Sequence, residues 1–124
     1  MPAADLTLAL WQTPYAATTA EALQRLDAAA AQARTQGADL LITPEMALTG
    51  YAIGADRVAA LAEPADGPLA RAVAAIAQRH GIAIVYGYPE RHAQSKKPYN
   101  AAQFVDADGQ RLSKGHRLLE AAAP

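Results

Sequence analysis

The sequence contains no cysteine among its 124 residues. This absence excludes disulfides, zinc–thiolate sites and a thiol nucleophile from the chain as it stands. A strong charge of either sign is also missing, because the formal net charge is -1 and the basic residues are scattered. We therefore expect no nucleic-acid partner. With 52% hydrophobic and 19% charged residues, and no internal repeat or low-complexity linker, the sequence is typical of a globular domain.

Long apolar runs are missing as well, and none approaches the length of a membrane span. The N-terminal stretch MPAADLTLALW has no basic region and carries Asp5 ahead of its apolar residues, which argues against a signal peptide. We therefore expect no membrane partner and a cytoplasmic location.

The first third of the chain has the pattern of a βαβ unit. Leucines at every second position in residues 6–11 predict a strand with one strongly apolar face. Thr18 and Glu21 have the spacing of a capping box, so a helix is expected from there to about Gln36. The apolar run within residues 39–43 predicts a second strand, parallel to the first and covered on both faces.

A second helix-and-strand pair follows a loop at residues 52–67, in which we expect at most one short helix. Asp66-Gly67-Pro68 predicts a helix start with Pro68 near its first position, and Gly81 predicts its end. The residues expected to form the apolar stripe of this helix are Leu69, Val73, Ile76 and Ala77.

The last part of the chain has the pattern of strands joined by turns. Residues 82–88 predict a third strand, and residues 89–98 a polar, basic loop. Residues 99–106 and 110–116 then predict an antiparallel hairpin, because Asp108-Gly109 between them is a strong turn signal.

The stretch LLITPEMALTGY, residues 40–51, is the most informative for function. Its first residues predict a buried strand that stops at Pro44 and is followed at once by Glu45. The carboxyl ends of strands are where open α/β sheets bind ligands. Apolar neighbours would partly desolvate Glu45, raise its pKa and make it a better proton acceptor, although a solvated loop acid has the same pattern.

PEMALTGY resembles the segment around the catalytic glutamate of the nitrilase superfamily, the carbon–nitrogen hydrolases. Further segments fit that family in order and spacing, and together they cover nearly the whole chain. These segments are the first strand ending at Gln12, GADLLITPEMALTGY, DGPLARAVAAIAQRHGIAIVYGYPER and YNAAQFVDADGQRLSKGH. The resemblance implies an α/β fold, as the N-terminal half of an α-β-β-α sandwich built from two sheets.

The resemblance also implies a mechanism. In the family a cysteine thiolate attacks an amide or nitrile carbon, a glutamate takes the thiol proton and later activates water, and a lysine stabilises the developing charge. Glu45 matches the glutamate, and Lys114, just after the hairpin, matches the lysine. The implied partner is a small amide or nitrile, with amide hydrolysis favoured. No cofactor or metal is implied, and a homo-oligomer is expected.

The sequence departs from the family pattern after the hairpin. Leu112 replaces a usual aromatic residue, and the lysine–x–histidine–leucine run becomes Lys114-Gly115-His116-Arg117-Leu118. The family nucleophile lies further downstream than Pro124. We therefore expect residues 1–124 to be a partial domain that lacks the nucleophilic cysteine, is inactive as given, and leaves apolar sheet surface uncovered.

Two other functional hypotheses are open. The first is a non-catalytic binding or assembly module that retains the nitrilase fold. The second is an unrelated metal-dependent hydrolase that uses Glu45, His80, His92 and His116, although no pair of these histidines has the spacing of metal ligands on one helix.

Overall fold

The structure is a computed structural model that describes residues 4–118, with the backbone alone for residues 113–118. The described residues form five strands and three helices. The strands are β1 (Leu8–Leu10), β2 (Leu40–Ile42), β3 (Ala83–Glu90), β4 (Tyr99–Val105) and β5 (Arg111–Leu118). The helices are α1 (Thr19–Thr35), α2 (Ala55–Leu61) and α3 (Pro68–His80). None of these helices has the length and apolar character needed to cross a lipid bilayer.

The strands form one sheet in the order β1-β2-β3-β4-β5. β1, β2 and β3 are parallel, whereas β4 and β5 are each antiparallel to the preceding strand. The predicted βαβ unit and the predicted hairpin are therefore both confirmed. The connection from β1 to β2 contains α1, and the connection from β2 to β3 contains α3. Each connection leads to the next strand in the same direction across the sheet. Because connections between parallel strands are right-handed, both helices lie on the same face.

We call the side of the sheet under α1 and α3 the helix face. Its core joins apolar residues from both helices and from every second position of the strands. Its members include Leu26, Leu41, Val73, Ile76, Ile82, Ile84, Tyr86 and Tyr88. The predicted stripe of α3 is confirmed, since all four of its residues are buried. The thin alanine stripe of α1 lets that helix pack close to the sheet.

The opposite side, which we call the open face, carries apolar residues that remain accessible. On β1, Leu8 is 49% exposed and Leu10 is 73% exposed. Leu40 and Ile42, their register partners on β2, are only half-buried. The expected coverage of β2 on both faces is therefore wrong, because the described residues cover the sheet with helices on one side only. The expectation of an uncovered apolar sheet surface is confirmed.

Both helix starts predicted from the sequence are confirmed. The Thr18 hydroxyl accepts a hydrogen bond from the Glu21 amide at 3.1 Å, and the Glu21 carboxylate accepts one from the Ala17 amide at 3.2 Å. This reciprocal pair satisfies amides that the first turn of α1 leaves without partners. At α3, Pro68 occupies the first turn and Gly81 ends the helix with a left-handed φ of 64°.

Strand β3 is longer than predicted, because it continues through Pro89 and Glu90 instead of ending at Tyr88. Proline lacks an N–H, so a strand tolerates it where the missing amide would face a side on which no neighbouring strand pairs. β2 pairs with β3 only as far as Val85, so Pro89 needs no amide on that side. Its carbonyl instead accepts a hydrogen bond from the Glu63 amide at 3.1 Å.

A charged cluster clamps α1 to α3 at the surface. The Asp27 carboxylate of α1 accepts hydrogen bonds from the Arg79 guanidinium and from the His80 ring, both at 2.7 Å. The hydrogen bond from His80, together with the charge of Arg79, lowers the pKa of Asp27 below its usual value. His80 therefore serves packing between the helices, as its place in the last turn of α3 suggested.

Asp27→Asn is expected to lower Tm by about 1–5 °C at neutral pH, because it removes an exposed ion pair. A depressed carboxyl pKa contributes stability above the unfolded-state pKa of about 3.9, and that contribution is lost as pH falls through the folded-state value. The Tm difference between wild type and variant should therefore shrink below about pH 4. Thermal unfolding from pH 3 to 7 measures it. Asp108→Asn is the matched control, since Asp108 is an exposed residue in a turn that also favours Asn.

Candidate active site

Glu45 begins a tight turn that leaves the carboxyl end of β2. The next residue, Met46, is buried and has a positive φ of 55°, which a non-glycine residue rarely adopts. The Met46 carbonyl accepts hydrogen bonds from the Thr49 and Gly50 amides, at 3.2 and 2.9 Å. Strained backbone of this kind persists only where the surroundings fix it, and it clusters at functional sites.

Gly87 of β3 fixes the path of this turn. A Cβ at position 87 would lie 2.6 Å from the Met46 amide nitrogen and 3.2 Å from the Glu45 Cα. Both are backbone atoms, so only glycine lets the turn pack directly on β3. On the same strand, the Val85 carbonyl accepts a hydrogen bond from the Thr43 amide at 3.0 Å. The Glu45 backbone is thus held against the centre of the sheet.

The Glu45 side chain is oriented by Asn100, at the start of β4. The Asn100 side-chain amide donates a hydrogen bond to Glu45 Oε1. Asn100 pairs with Pro89 across the sheet, and it is buried although its neighbour on the same face, Ala102, is exposed. It alternates with the helix-face residues Ala101 and Gln103, so the contact places the Glu45 carboxylate on the open face.

Glu45 as a residue is exposed, so the expectation of a partly desolvated carboxylate is wrong for the described chain. The cause is the open face itself, since no further layer of the described residues covers the turn. Its position at the tip of β2 is as predicted.

Tyr15, which follows β1, holds the same turn from the other side. Its hydroxyl donates a hydrogen bond to the Glu45 carbonyl at 2.7 Å. Burial raises the pKa of Tyr15, and the charge of Glu45 raises it further, so the hydroxyl stays protonated and can donate. Neither Tyr15 nor Asn100 was predicted as a site residue. The one sequence signal was that each lies next to the end of a predicted strand.

Lys114, the second predicted site residue, lies on β5 directly opposite Gln103 of β4. Gln103 belongs to the helix face, where it is buried and its amide donates to the Ala65 carbonyl at 3.0 Å and the Tyr86 hydroxyl at 2.9 Å. Directly opposite residues share a face of a sheet. The backbone register therefore gives Lys114 a helix-face position, and it does not bring Lys114 to the face that carries Glu45.

The helix face has a buried polar cluster of its own, formed by Tyr86, Tyr88, Glu90 and Gln103. The Tyr88 hydroxyl donates to the Glu90 carboxylate, and Gln103 bonds Tyr86. Burial raises the pKa of both tyrosines well above the usual range. These groups bond largely to one another and lie under the helices, so we read them as structural.

The metal-site hypothesis finds no support among the side chains that the structure describes, because they include no group of three or more histidines and acids able to hold a metal. His80 is bound to Asp27 instead. Glu45 is bound by Asn100, and the His116 side chain lies outside the described part of the chain.

Gly87→Ala is expected to destabilise the protein by about 1–3 kcal/mol, because the added methyl group meets backbone atoms that cannot rotate away. Urea unfolding measures the change. Ala102→Val is the matched control, since Ala102 is exposed and pairs with Gly87 on the next strand. Equal stability of Gly87→Ala and wild type would contradict the close packing of the Glu45 turn on β3.

The chain is similar to known proteins in sequence and in fold. The family model described as carbon-nitrogen hydrolase matches residues 7–120. A protein of Pseudomonas protegens described as "Hydrolase in pqqF 5'region" is 52% identical over 108 residues, which are 86% of this chain and 37% of that protein. The chain therefore spans well under half the length of this relative.

Two solved structures resemble the fold. One is an amidase from Nesterenkonia sp. AN1, in a mutant described as showing Michael addition of acrylamide at the active site cysteine. It is 27% identical, with a TM-score of 0.71, over 91% of this chain and 44% of that chain. The other is an N-terminal amidase, 21% identical with a TM-score of 0.75 over 90% of this chain and 27% of that one, and it supports the fold alone.

These matches agree with the α/β fold and with the segments that carried the resemblance. The chain belongs to the carbon–nitrogen hydrolase family.

Proposed function

We propose that the full-length protein hydrolyses a non-peptide carbon–nitrogen bond, in an amide or nitrile, with Glu45 as its general base. The observation that carries the proposal is the Glu45 carboxylate at the carboxyl end of β2, held by the Asn100 amide on the open face. A general base must first lie within reach of the proton that it takes, so its position is the first requirement. Two hydrogen bonds hold Glu45 in position, one from the Tyr15 hydroxyl to its carbonyl and one from the Asn100 amide to its carboxylate.

The proposed reaction uses a thiol that these 124 residues do not contain. Glu45 takes the thiol proton as the sulfur attacks the amide carbon. The carbon–nitrogen bond then breaks, and the proton leaves with the ammonia or amine, which gives a thioester. Glu45 next takes a proton from water as the water oxygen attacks the thioester carbon. The carbon–sulfur bond breaks to give the carboxylic acid, and the proton passes from Glu45 to the departing sulfur, which restores the thiol and the carboxylate. By this mechanism the chain as given is inactive.

The negative charge that develops on the substrate oxygen needs a nearby positive charge. The resemblance assigns that part to Lys114, and we propose that strand β5 supplies the cation. No cofactor enters the proposed mechanism.

An amide is the favoured substrate class. The relative that is 27% identical is an amidase, and its active site cysteine is described as having added acrylamide, a small amide. We therefore propose a small-molecule amide as the substrate, with a nitrile as the alternative.

The open face supports a further part of the proposal. Its accessible leucines suit packing against a second sheet, as in the four-layer sandwich that the resemblance implies. We propose that this sheet, together with the nucleophile, belongs to the rest of the full-length protein. The homo-oligomer implied by the resemblance is likewise a proposal for the whole protein.

Glu45→Gln in the full-length protein is expected to lower kcat for amide hydrolysis by about 10²–10⁴-fold, because glutamine cannot take a proton. Glutamine retains an oxygen that can accept the hydrogen bond from Asn100, so the turn should keep its structure. Ammonia release from a panel of small amides and nitriles measures the effect. The control is Glu21→Gln, which removes the same charge from α1. A variant at position 45 with wild-type kcat would rule out the base assignment.

A further inference from the structure

Beyond its first residue, Arg111, strand β5 carries a lysine and an arginine, Lys114 and Arg117. They are three positions apart, and alternate residues of a strand face opposite sides of a sheet. The two residues therefore occupy positions on different faces, so only one of them can share the face of Glu45.

The register with β4 decides which one it is. Arg117 pairs directly with Asn100, whereas Lys114 pairs directly with Gln103. Asn100 is the residue whose amide binds the Glu45 carboxylate on the open face. Gln103 is buried on the helix face among Tyr86 and the Ala65 carbonyl. Arg117 thus occupies the open-face position across from the residue that orients Glu45, where Cβ atoms are generally about 4.5–5.5 Å apart.

A bulge in the hairpin sets this arrangement. Val105 pairs with Arg111, but Phe104 pairs with Ser113, so Leu112 is an extra residue on β5. One extra residue moves every later position on the strand to the opposite face of the sheet. Without the bulge, Lys114 would pair with Ala102 and lie at an open-face position.

We propose that Arg117, rather than Lys114, supplies the positive charge that acts with Glu45. The inference deepens the proposed function and rests on it. A guanidinium is always charged and offers donors in a planar fork. On the Glu45 face it would stabilise the negative charge that forms on the substrate oxygen when the thiol adds to the carbonyl carbon. It takes up and releases no proton in that step, so Glu45 carries every proton transfer.

The test compares Arg117→Ala, Arg117→Lys and Lys114→Ala in the full-length protein, by ammonia release from a small amide as a function of pH. We expect Arg117→Ala to lose about 100-fold or more in kcat, and Arg117→Lys to recover part of that loss. Lys114→Ala is expected to lower kcat by less than about 5-fold, because position 114 lies on the face of the sheet opposite to Glu45 and the reacting atoms.

The pH profile separates a role in catalysis from a role in structure. Arg117→Lys should add a loss of activity near pH ~10, where a lysine titrates, that wild type lacks. A large loss in Lys114→Ala, with Arg117→Ala near wild type, would overturn the inference.

If the wild-type protein is inactive, the proposed function is contradicted. The inference about Arg117 is then tested by a stability measurement that does not depend on activity. Thermal unfolding of Glu45→Gln, Arg117→Gln and the double variant gives a double-mutant cycle, as does the same set with Lys114→Gln. We expect the Glu45 and Arg117 shifts in Tm to depart from additivity by about 1 °C or more, and the Glu45 and Lys114 shifts to add. The reverse result would overturn the inference.

Discussion

Packing of the Glu45–Met46 backbone on Gly87 is the contact on which the rest of the site depends. Strand β2 ends at Ile42, and its continuation crosses the open face of β3 only because position 87 has no side chain. That crossing carries Glu45 to the start of β4, where Asn100 binds its carboxylate. In this turn Met46 adopts a left-handed backbone conformation, which is unfavourable for a non-glycine residue. The burial of its side chain stabilises the turn and offsets that unfavourable energy. The backbone of the proposed base is thereby fixed by its packing on β3, and its carboxylate is held by the Asn100 side chain.

Coverage of the sheet on one side only links the fold to the chemistry. α1 and α3 bury the helix face, and the polar groups there, such as Glu90 and Gln103, bond largely within that layer. Glu45, the proposed base, lies on the other side, and the leucines that β1 presents on that side remain accessible in the described chain. Covering that face would at once bury apolar surface and exclude water from Glu45, which strengthens electrostatic stabilisation of the reaction.

Local sequence signals predicted the fold well, and long-range ones predicted the site only in part. The capping box at Thr18, the proline-led start of α3 and the Asp108-Gly109 turn each act over a few residues, and all three are confirmed. Glu45 was found because its motif is local. Asn100 was missed because its contact joins residues 55 positions apart. The sequence could not predict which residues of β5 share a face with Glu45, because a single bulged residue, with no glycine to mark it, moves the later residues to the opposite face.

The most direct test of a glutamate-assisted thiol mechanism is the intact mass of the protein from its native source, before and after treatment with iodoacetamide. We predict a mass well above the 13.0 kDa of these 124 residues, and a shift that corresponds to one reactive thiol. That result would supply the nucleophile for which Glu45 is the base. A native mass of 13.0 kDa with no adduct would contradict it, because Glu45 would then have no thiol to activate.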